Sequence, residues 1–167
     1  MVESRKCQVL VVGAGPGGYV AGIRSGQLGL DTIVVEGDKA GGTCLIRGCI
    51  PSKAIIHAAE RFESLGQHAT SDGHMGISVS ESPELDMSAL VSWKDDIVER
   101  LNKGVEALLK GAGVDLVKGW ATFTSPKKCL VETSGGAIEI EAENVILATG
   151  SSHIDLPFMP CDEEFIL

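Results

Sequence analysis

Two rhythms of apolar and polar positions run along this chain, and the switches between them mark its elements. Val9-Leu10-Val11-Val12 is a continuous apolar run rich in β-branched residues, the pattern of a strand buried on both faces. A glycine-rich turn follows, then helical spacing from Tyr19 to Leu28, then a second buried run, Thr32-Ile33-Val34-Val35. This βαβ order calls for a parallel sheet. Residues 37–48 read as a Gly-rich loop, and Pro51 suits the first turn of a helix continuing from Ala54 to Ser64. Residues 65–86, carrying Gly, Ser, His and Asp, read as a mobile surface excursion. Leu90, Trp93, Ile97, Leu101, Val105 and Leu108 then fall at three- and four-residue steps. They predict a long amphipathic helix with Trp93 in the core.

The last third is patterned differently. Val114 to Val117 reads as a strand. Trp120–Phe123, Cys129–Thr133 and Ile138–Ile140 form an antiparallel meander broken at Ser125-Pro126 and Ser134-Gly135-Gly136, with Trp120 packed inside it. Val145-Ile146-Leu147-Ala148 is again a buried strand, ending in Thr149-Gly150. The predicted class is α/β: a Rossmann-type fold with a parallel sheet and an inserted antiparallel β-meander at about 118–141. Residues 1–150 form the domain and 151–167 a connector.

Composition narrows the function. With 14 Lys plus Arg against 23 Asp plus Glu, the formal charge is −9. That balance speaks against nucleic acid or an anionic membrane as partner, because little here would displace counterions from phosphate. Aromatic residues, at 4%, are too few for a base-stacking platform. Five cysteines, an odd number, do not suggest a secreted disulfide framework, and no apolar run approaches the roughly 18 residues of a membrane span. The apolar run after Arg5-Lys6 is broken too early by glycine for a signal peptide. The expectation is a cytoplasmic protein. Cys7, Cys129 and Cys161 read as small residues without chemistry.

The 21 glycines point to backbone that must approach something closely. Gly13-Ala14-Gly15-Pro16-Gly17-Gly18 is G-x-G-x-x-G between a strand and a helix, and Glu36 closes the second strand about 20 residues on, where a ribose-binding acid is expected. Gly13 permits the turn, Gly15 lets N–H groups reach a pyrophosphate, and Gly18 lets helix and strand pack. The positive end of the helix faces the phosphates. Glu36 can accept from ribose hydroxyls and would repel a 2′-phosphate. The turn is predicted to bind a dinucleotide.

Gly41-Gly42-Thr43-Cys44-Leu45-Ile46-Arg47-Gly48-Cys49-Ile50-Pro51-Ser52-Lys53 is the second centre of chemistry. On an ideal helix the Cα atoms of Cys44 and Cys49 would lie about 8.7 Å apart, whereas a disulfide needs roughly 4.4 to 6.8 Å. A bond between them requires a distorted segment, which Gly48 and Pro51 make possible. So small a loop favours a reducible bond, and Arg47, Lys53 and a helix N-terminus would stabilise a thiolate. Two unpaired buried thiols, or half of a metal site with His57, are the alternatives. The position beside a dinucleotide fold favours a redox dithiol, with no metal.

Gly41-Gly42-Thr43-Cys44 followed by Gly48-Cys49-Ile50-Pro51-Ser52-Lys53 resembles the active-site signature of the two-cysteine flavoprotein disulfide reductases. Leu45 and Ser52 bring it nearest to the dihydrolipoamide dehydrogenases within that family. Gly119-Trp120-Ala121 is similar to the meander turn that approaches the adenine, and Ala148-Thr149-Gly150 to the second FAD-contacting strand end. The resemblance implies a Rossmann-type FAD-binding fold, with Gly13, Gly15, Gly18, Glu36, Gly42, Thr43, Lys53, Ala121, Thr149 and Gly150 holding FAD. It implies Cys44 as the thiol that exchanges with substrate, Cys49 as the charge-transfer thiolate against the flavin, and Lys53 near the isoalloxazine N5. Two electrons would pass from dihydrolipoamide, carried on a 2-oxo acid dehydrogenase complex, through the disulfide and FAD to NAD+. Ile46-Arg47 departs from the Asn-Val common between the cysteines and adds a positive charge beside the thiols.

Family members also carry an NAD domain, a return segment completing the FAD domain, and an interface domain whose His-Glu pair reaches the disulfide of the other subunit of a homodimer. His57, His68, His74 and His153 do not match that histidine's motif. The chain therefore reads as the first part of the FAD domain, expected not to turn over substrate by itself and to expose an apolar face that self-associates. Other readings are a different disulfide or mercuric reductase of the same family, or a non-catalytic FAD-binding module.

Overall fold

The structure, a computed structural model, describes residues 3–70, 76–77, 79–152, 154 and 156–162. Its elements in chain order are β1 (Glu3–Val12), α1 (Pro16–Gln27), β2 (Thr32–Glu36), α2 (Gly42–Ile46), α3 (Cys49–Thr70), α4 (Met87–Gly111), β3 (Asp115–Lys118), β4 (Trp120–Ser125), β5 (Lys128–Thr133) and β6 (Gly136–Leu147). The six strands form one sheet in the order β3-β2-β1-β6-β5-β4. Pairs β3–β2, β2–β1 and β1–β6 are parallel, while β6–β5 and β5–β4 are antiparallel.

The edge strands β3 and β4 are consecutive in the chain, joined by Gly119 alone. In a flat sheet six strands wide they would stand roughly 24 Å apart. The sheet therefore curls until its edges meet. The curl encloses one core: Leu10, Val12, Ile33, Val35 and Val117 from the parallel part against Cys129, Val131, Ile140 and Ala142 from the antiparallel part. Val9, Val11 and Val34 point to the other face, where Val105 and Leu109 of α4 cover them. Cys7 breaks the alternation and joins the enclosed core. The N–H groups of Gln8 and Val9 both donate to the Asp31 carbonyl, at 2.9 and 3.0 Å, the two-against-one pairing of a bulge. On the helix side, α1 lies close to the sheet because Gly18, Gly22 and Gly26 form its inner edge. A Cβ at Gly22 would sit 2.6 Å from Val34 Cγ2, and one at Gly26 would sit 2.3 Å from the Ala112 carbonyl oxygen.

Several boundaries differ from the sequence expectation. The antiparallel meander is present as β4, β5 and β6, but its third strand and the final buried strand are one, β6, paired with β5 over Gly136–Glu141 and with β1 as far as Leu147. Glu139, Glu141 and Glu143 look like an interruption, yet Ile140 and Ala142 between them are buried, an alternation of period two. Leu147 is 68% exposed and shares a shallow apolar cleft with Phe123, Pro126 and Val145, so the run is not buried to its end. Helix α1 begins at Pro16 rather than Tyr19, with proline at the first helical position. The 37–48 loop contains the single-turn α2, and α3 continues to Thr70 through the first part of the expected excursion; residues 71–75, including His74, and residue 78 lie outside the described residues.

The stripe on α4 is displaced. Asp86 caps the helix by accepting from the Ala89 N–H at 3.0 Å, but the buried line is Val98, Asn102, Val105 and Leu109. Val105 and Leu109, towards the C-terminal end of α4, pack on the sheet, the helix also meets α2 and α3, and Trp93 is left 42% exposed. Trp120 is likewise not packed inside the meander, at 72% exposure. Beyond β6, Leu156 and Met159 form an isolated antiparallel bridge, while His153 is outside the described residues.

Two outcomes test this account. A Cβ at Gly119 would sit 2.4 Å from the Glu132 carbonyl oxygen, whereas one at Gly104 on α4 meets nothing within 4 Å. Gly119→Ala should cost about 1–3 kcal/mol in urea denaturation, and Gly104→Ala should add about 0.5–1 kcal/mol. Burial pushes the Cys7 thiol up to about 11 from its usual 9.0, and burial raises Cys129 as well. A thiol held neutral in the fold stabilises it fully below pH 9, and that contribution is lost as pH rises through 11. Melting temperature should fall across this window, and less steeply in Cys7→Val.

Candidate functional site

The C-terminal ends of β1, β2 and β6 open onto a cleft of about 1120 Å³. It lies outside the carboxyl ends of the parallel strands, where ligand sites in α/β sheets are found. Strand ends are locked together there: the Gly13 N–H donates to the Val35 carbonyl, the Ala148 N–H to the Val12 carbonyl and the Gly41 N–H to the Ala14 carbonyl, each at 2.8 Å.

One wall is the glycine turn. Gly13 has φ 98°, and a Cβ on it would sit 2.3 Å from the Ala148 carbonyl oxygen. A Cβ on Gly18 would sit 1.8 Å from the Gly13 carbonyl oxygen, so helix and turn touch backbone to backbone. Gly15 lines the cleft while Gly18 is buried behind it. Gly42, at φ 69°, closes against Gly15: a Cβ there would lie 2.7 Å from the Gly15 Cα. Glu36 ends β2 with both carboxylate oxygens engaged. Oε2 accepts the Ala14 N–H at 2.6 Å and Oε1 the Asp38 N–H at 2.9 Å. These bonds fix the carboxylate and leave lone pairs for a further donor.

The opposite wall carries the cysteines. Helix α2 stops at Ile46 and α3 starts at Cys49, and the break at Arg47-Gly48 draws the Cα atoms of Cys44 and Cys49 to 4.6 Å, where they are joined by a disulfide. The ideal-helix spacing is thus avoided by interrupting the helix. The Arg47 N–H closes α2 onto the Thr43 carbonyl at 2.9 Å, and the Ser52 N–H opens α3 from the Gly48 carbonyl at 3.0 Å. With both sulfurs in one bond, the unpaired-thiol alternative falls, and neither sulfur is available to a metal shared with His57. Cys44 is exposed and lines the cleft; Cys49 is half-buried and stands behind it. Thr43, Ala121, Thr149 and Gly150 line the cleft too. Lys53, one turn into α3, is exposed and lies outside the lining.

Further residues shape this site, of which the sequence reading passed over Asn102, Asp38 and Lys39. Asn102 is buried on α4, and its Nδ2 donates to the Ala40 carbonyl at 2.6 Å, pinning the start of the cysteine segment. Its only sequence signal is a polar residue inside an apolar helical stripe. Trp120 stands at the cleft with its ring against Gly37, where a Cβ would lie 2.7 Å from ring carbons. Asp38, Lys39 and Arg47 add charge to the lining. Among the described residues no helix is long and apolar enough to cross a membrane.

The backbone cradle and its carboxylate fit a dinucleotide: side chains are excluded where phosphates would approach, and the first turn of α1 points its N–H groups there. Comparison with known proteins agrees. Residues 7–165 match the family model described as pyridine nucleotide-disulphide oxidoreductase. The chain is 51% identical over 161 residues to a dihydrolipoyl dehydrogenase of Pseudomonas aeruginosa, covering 96% of this chain and 34% of that protein. It is 45% identical over 163 residues to dihydrolipoyl dehydrogenase 2 of Haloarcula marismortui, covering 96% and 33%. The chain thus spans about a third of the length of the curated relatives it matches. Among solved structures, the Cu(II) complex of an HOCl-induced flavoprotein disulfide reductase from Escherichia coli superposes with TM-score 0.74 at 22% identity, covering 92% of this chain and 30% of the other. That likeness concerns the fold.

Removing the Asn102 amide leaves the Ala40 carbonyl without its donor in a buried setting. Asn102→Ala should cost about 1–3 kcal/mol in denaturant titration. It should also speed reduction of the Cys44–Cys49 bond by added dithiothreitol.

Proposed function

Since the chain belongs to the pyridine nucleotide-disulphide oxidoreductase family, which implies flavin binding, we propose that it is the N-terminal FAD-binding part of a dihydrolipoyl dehydrogenase. Residues 1–150 are the first segment of the FAD domain, and 151–167 lead out of it. The enzyme so formed would oxidise dihydrolipoamide on a 2-oxo acid dehydrogenase complex and reduce NAD+, as a cytoplasmic homodimer. The observation that carries this reading is the Cys44–Cys49 disulfide, held across a helix break on one wall of a cleft whose other wall is the glycine turn.

The residues divide the work by position. The turn Gly13–Gly18 and the first turn of α1 would receive the pyrophosphate, and Glu36 the ribose hydroxyls. Gly42, Thr43, Ala121, Thr149 and Gly150 would border the rest of the dinucleotide, with Lys53 near its flavin end. Cys44, the more exposed sulfur, is the one a substrate thiolate can reach. Attack there forms a bond between substrate sulfur and Cys44 and breaks the S–S bond, releasing Cys49 as thiolate. The second substrate thiolate then attacks the substrate sulfur of that mixed disulfide and expels the Cys44 thiolate. The substrate leaves as a cyclic disulfide, and its two electrons remain on the cysteine pair. FAD, when bound, would supply the two-electron acceptor for the reduced pair, with NAD+ as the proposed final acceptor. Cys49, half-buried at the start of α3, would make that transfer.

An absorption spectrum of the purified protein tests the assignment. A flavin band should accompany the protein, and a long-wavelength feature should appear when a dithiol is added. In Cys44→Ser that feature should be present without dithiol, because Cys49 is left as a permanent thiol; in Cys49→Ser it should never appear. A colourless protein, or the opposite pattern in the two variants, would overturn the reading.

A further inference from the structure

One charged contact joins the two walls of the cleft. Arg47 lies in the break between α2 and α3, inside the loop closed by the disulfide, and its guanidinium pairs with the Asp38 carboxylate. Asp38 is also the residue whose N–H donates to Glu36 Oε1 at 2.9 Å, while Glu36 Oε2 holds the Ala14 N–H at 2.6 Å. A short relay therefore runs from the glycine turn through Glu36 and Asp38 to the disulfide loop. Segment 36–38 has little freedom on one side, because the Trp120 ring lies against Gly37. Ribose hydroxyls donating to Glu36 would load a carboxylate whose backbone partners are fixed. With Trp120 behind it, the adjustment passes to Asp38 and through the ion pair to Arg47. Glu36, Asp38, Arg47 and Cys44 all line this one cleft.

We infer that Arg47 is a positioning residue for the Cys44–Cys49 disulfide, acting through Asp38, and that it couples occupancy of the ribose and pyrophosphate end of the cleft to the redox state of the cysteine pair. The inference rests on the dinucleotide reading above and adds a regulation to that site. Coupling of this kind is reciprocal: the factor by which the ligand shifts the disulfide–dithiol equilibrium is the factor by which reduction changes ligand affinity. The pair is largely exposed, with side chains 67% and 43% accessible, so the expected factor is modest, on the order of two- to fivefold.

The test uses ADP-ribose, which carries the adenine, ribose and pyrophosphate but no redox-active ring. The purified full-length protein, stripped of flavin, is equilibrated in mixtures of reduced and oxidised dithiothreitol with and without ADP-ribose. In that exchange the Cys44–Cys49 bond breaks, two electrons and two protons make two thiols, and the dithiothreitol closes to its own cyclic disulfide. Thiols are trapped by alkylation and counted by mass spectrometry. ADP-ribose should shift the equilibrium about two- to fivefold in the wild type and leave it unmoved in Arg47→Gln, in Asp38→Asn and in the double variant. Reversing the pair, Arg47→Asp with Asp38→Arg, should restore at least half of the shift. A wild-type protein that does not respond, a response that survives both single variants, or a reversed pair that restores nothing would each overturn the inference. Rebinding of FAD, followed by its own absorbance, reports separately on the dinucleotide reading. If FAD binds and the shift is absent, only the coupling falls; if FAD does not bind, the reading beneath it falls as well.

Discussion

The constraint on which this structure depends is the junction at Gly119. It is the only residue between the two strands that form opposite edges of a six-stranded sheet. A chain that must be both edges at once leaves the sheet one solution, which is to close on itself at that end. The junction is tight: the Gly119 N–H donates to the Glu36 carbonyl at 2.8 Å, and its Cα faces the Glu132 carbonyl with no space for a side chain. From this closure follow the enclosed core between the parallel and antiparallel strands and the placement of Trp120 and Ala121 opposite the glycine turn. It also covers a sheet face that, among the described residues, no helix covers, and so takes the place of a third layer there.

The cleft inherits its precision from that closure and from a second device, the anchoring of the cysteine segment at both ends. Its start is held by Ala14 and Asn102 through the backbone of Gly41 and Ala40. Its far end merges into α3, a helix of 22 residues. Only the short interval around Arg47 is left irregular, and that is where the two sulfurs meet. A local departure from helical geometry is thereby framed by regular elements, and what reaches the phosphate end when the S–S bond is made or broken passes through the Arg47–Asp38 pair rather than through the strands.

What the sequence made legible were features whose physics is local. The glycine turn and Glu36 stand at the ends of apolar runs, and the two cysteines share one segment with the residues that bend it. The buried line on α4 was harder to read, because Leu101 and Leu108 continue the apolar spacing although the sheet is met by Val105 and Leu109. The unity of β6 was hidden by three glutamates that all point away from the core. Asn102 and Trp120 gain their meaning from partners distant in sequence, Ala40 and Gly37, and no spacing rule announces such a pairing. Gly119 belongs with them: its necessity comes from strand order, which is a property of the whole sheet.

The pairing of β1 with β6 also bears on how the chain comes into being. Glu3 is matched with Ile138 and Val12 with Leu147, so β1 lies beside a strand made much later in the chain. At the ribosome's pace of about 5–20 residues per second, β1 waits on the order of ten seconds for that neighbour. Until then one flank of the central strand is bare, and loop-closure entropy opposes every contact that would cover it. A nascent chain of this architecture can secure β1, α1 and β2 early, but its inner core closes only when β6 emerges. Translation speed and chaperone access during that interval therefore bear on yield.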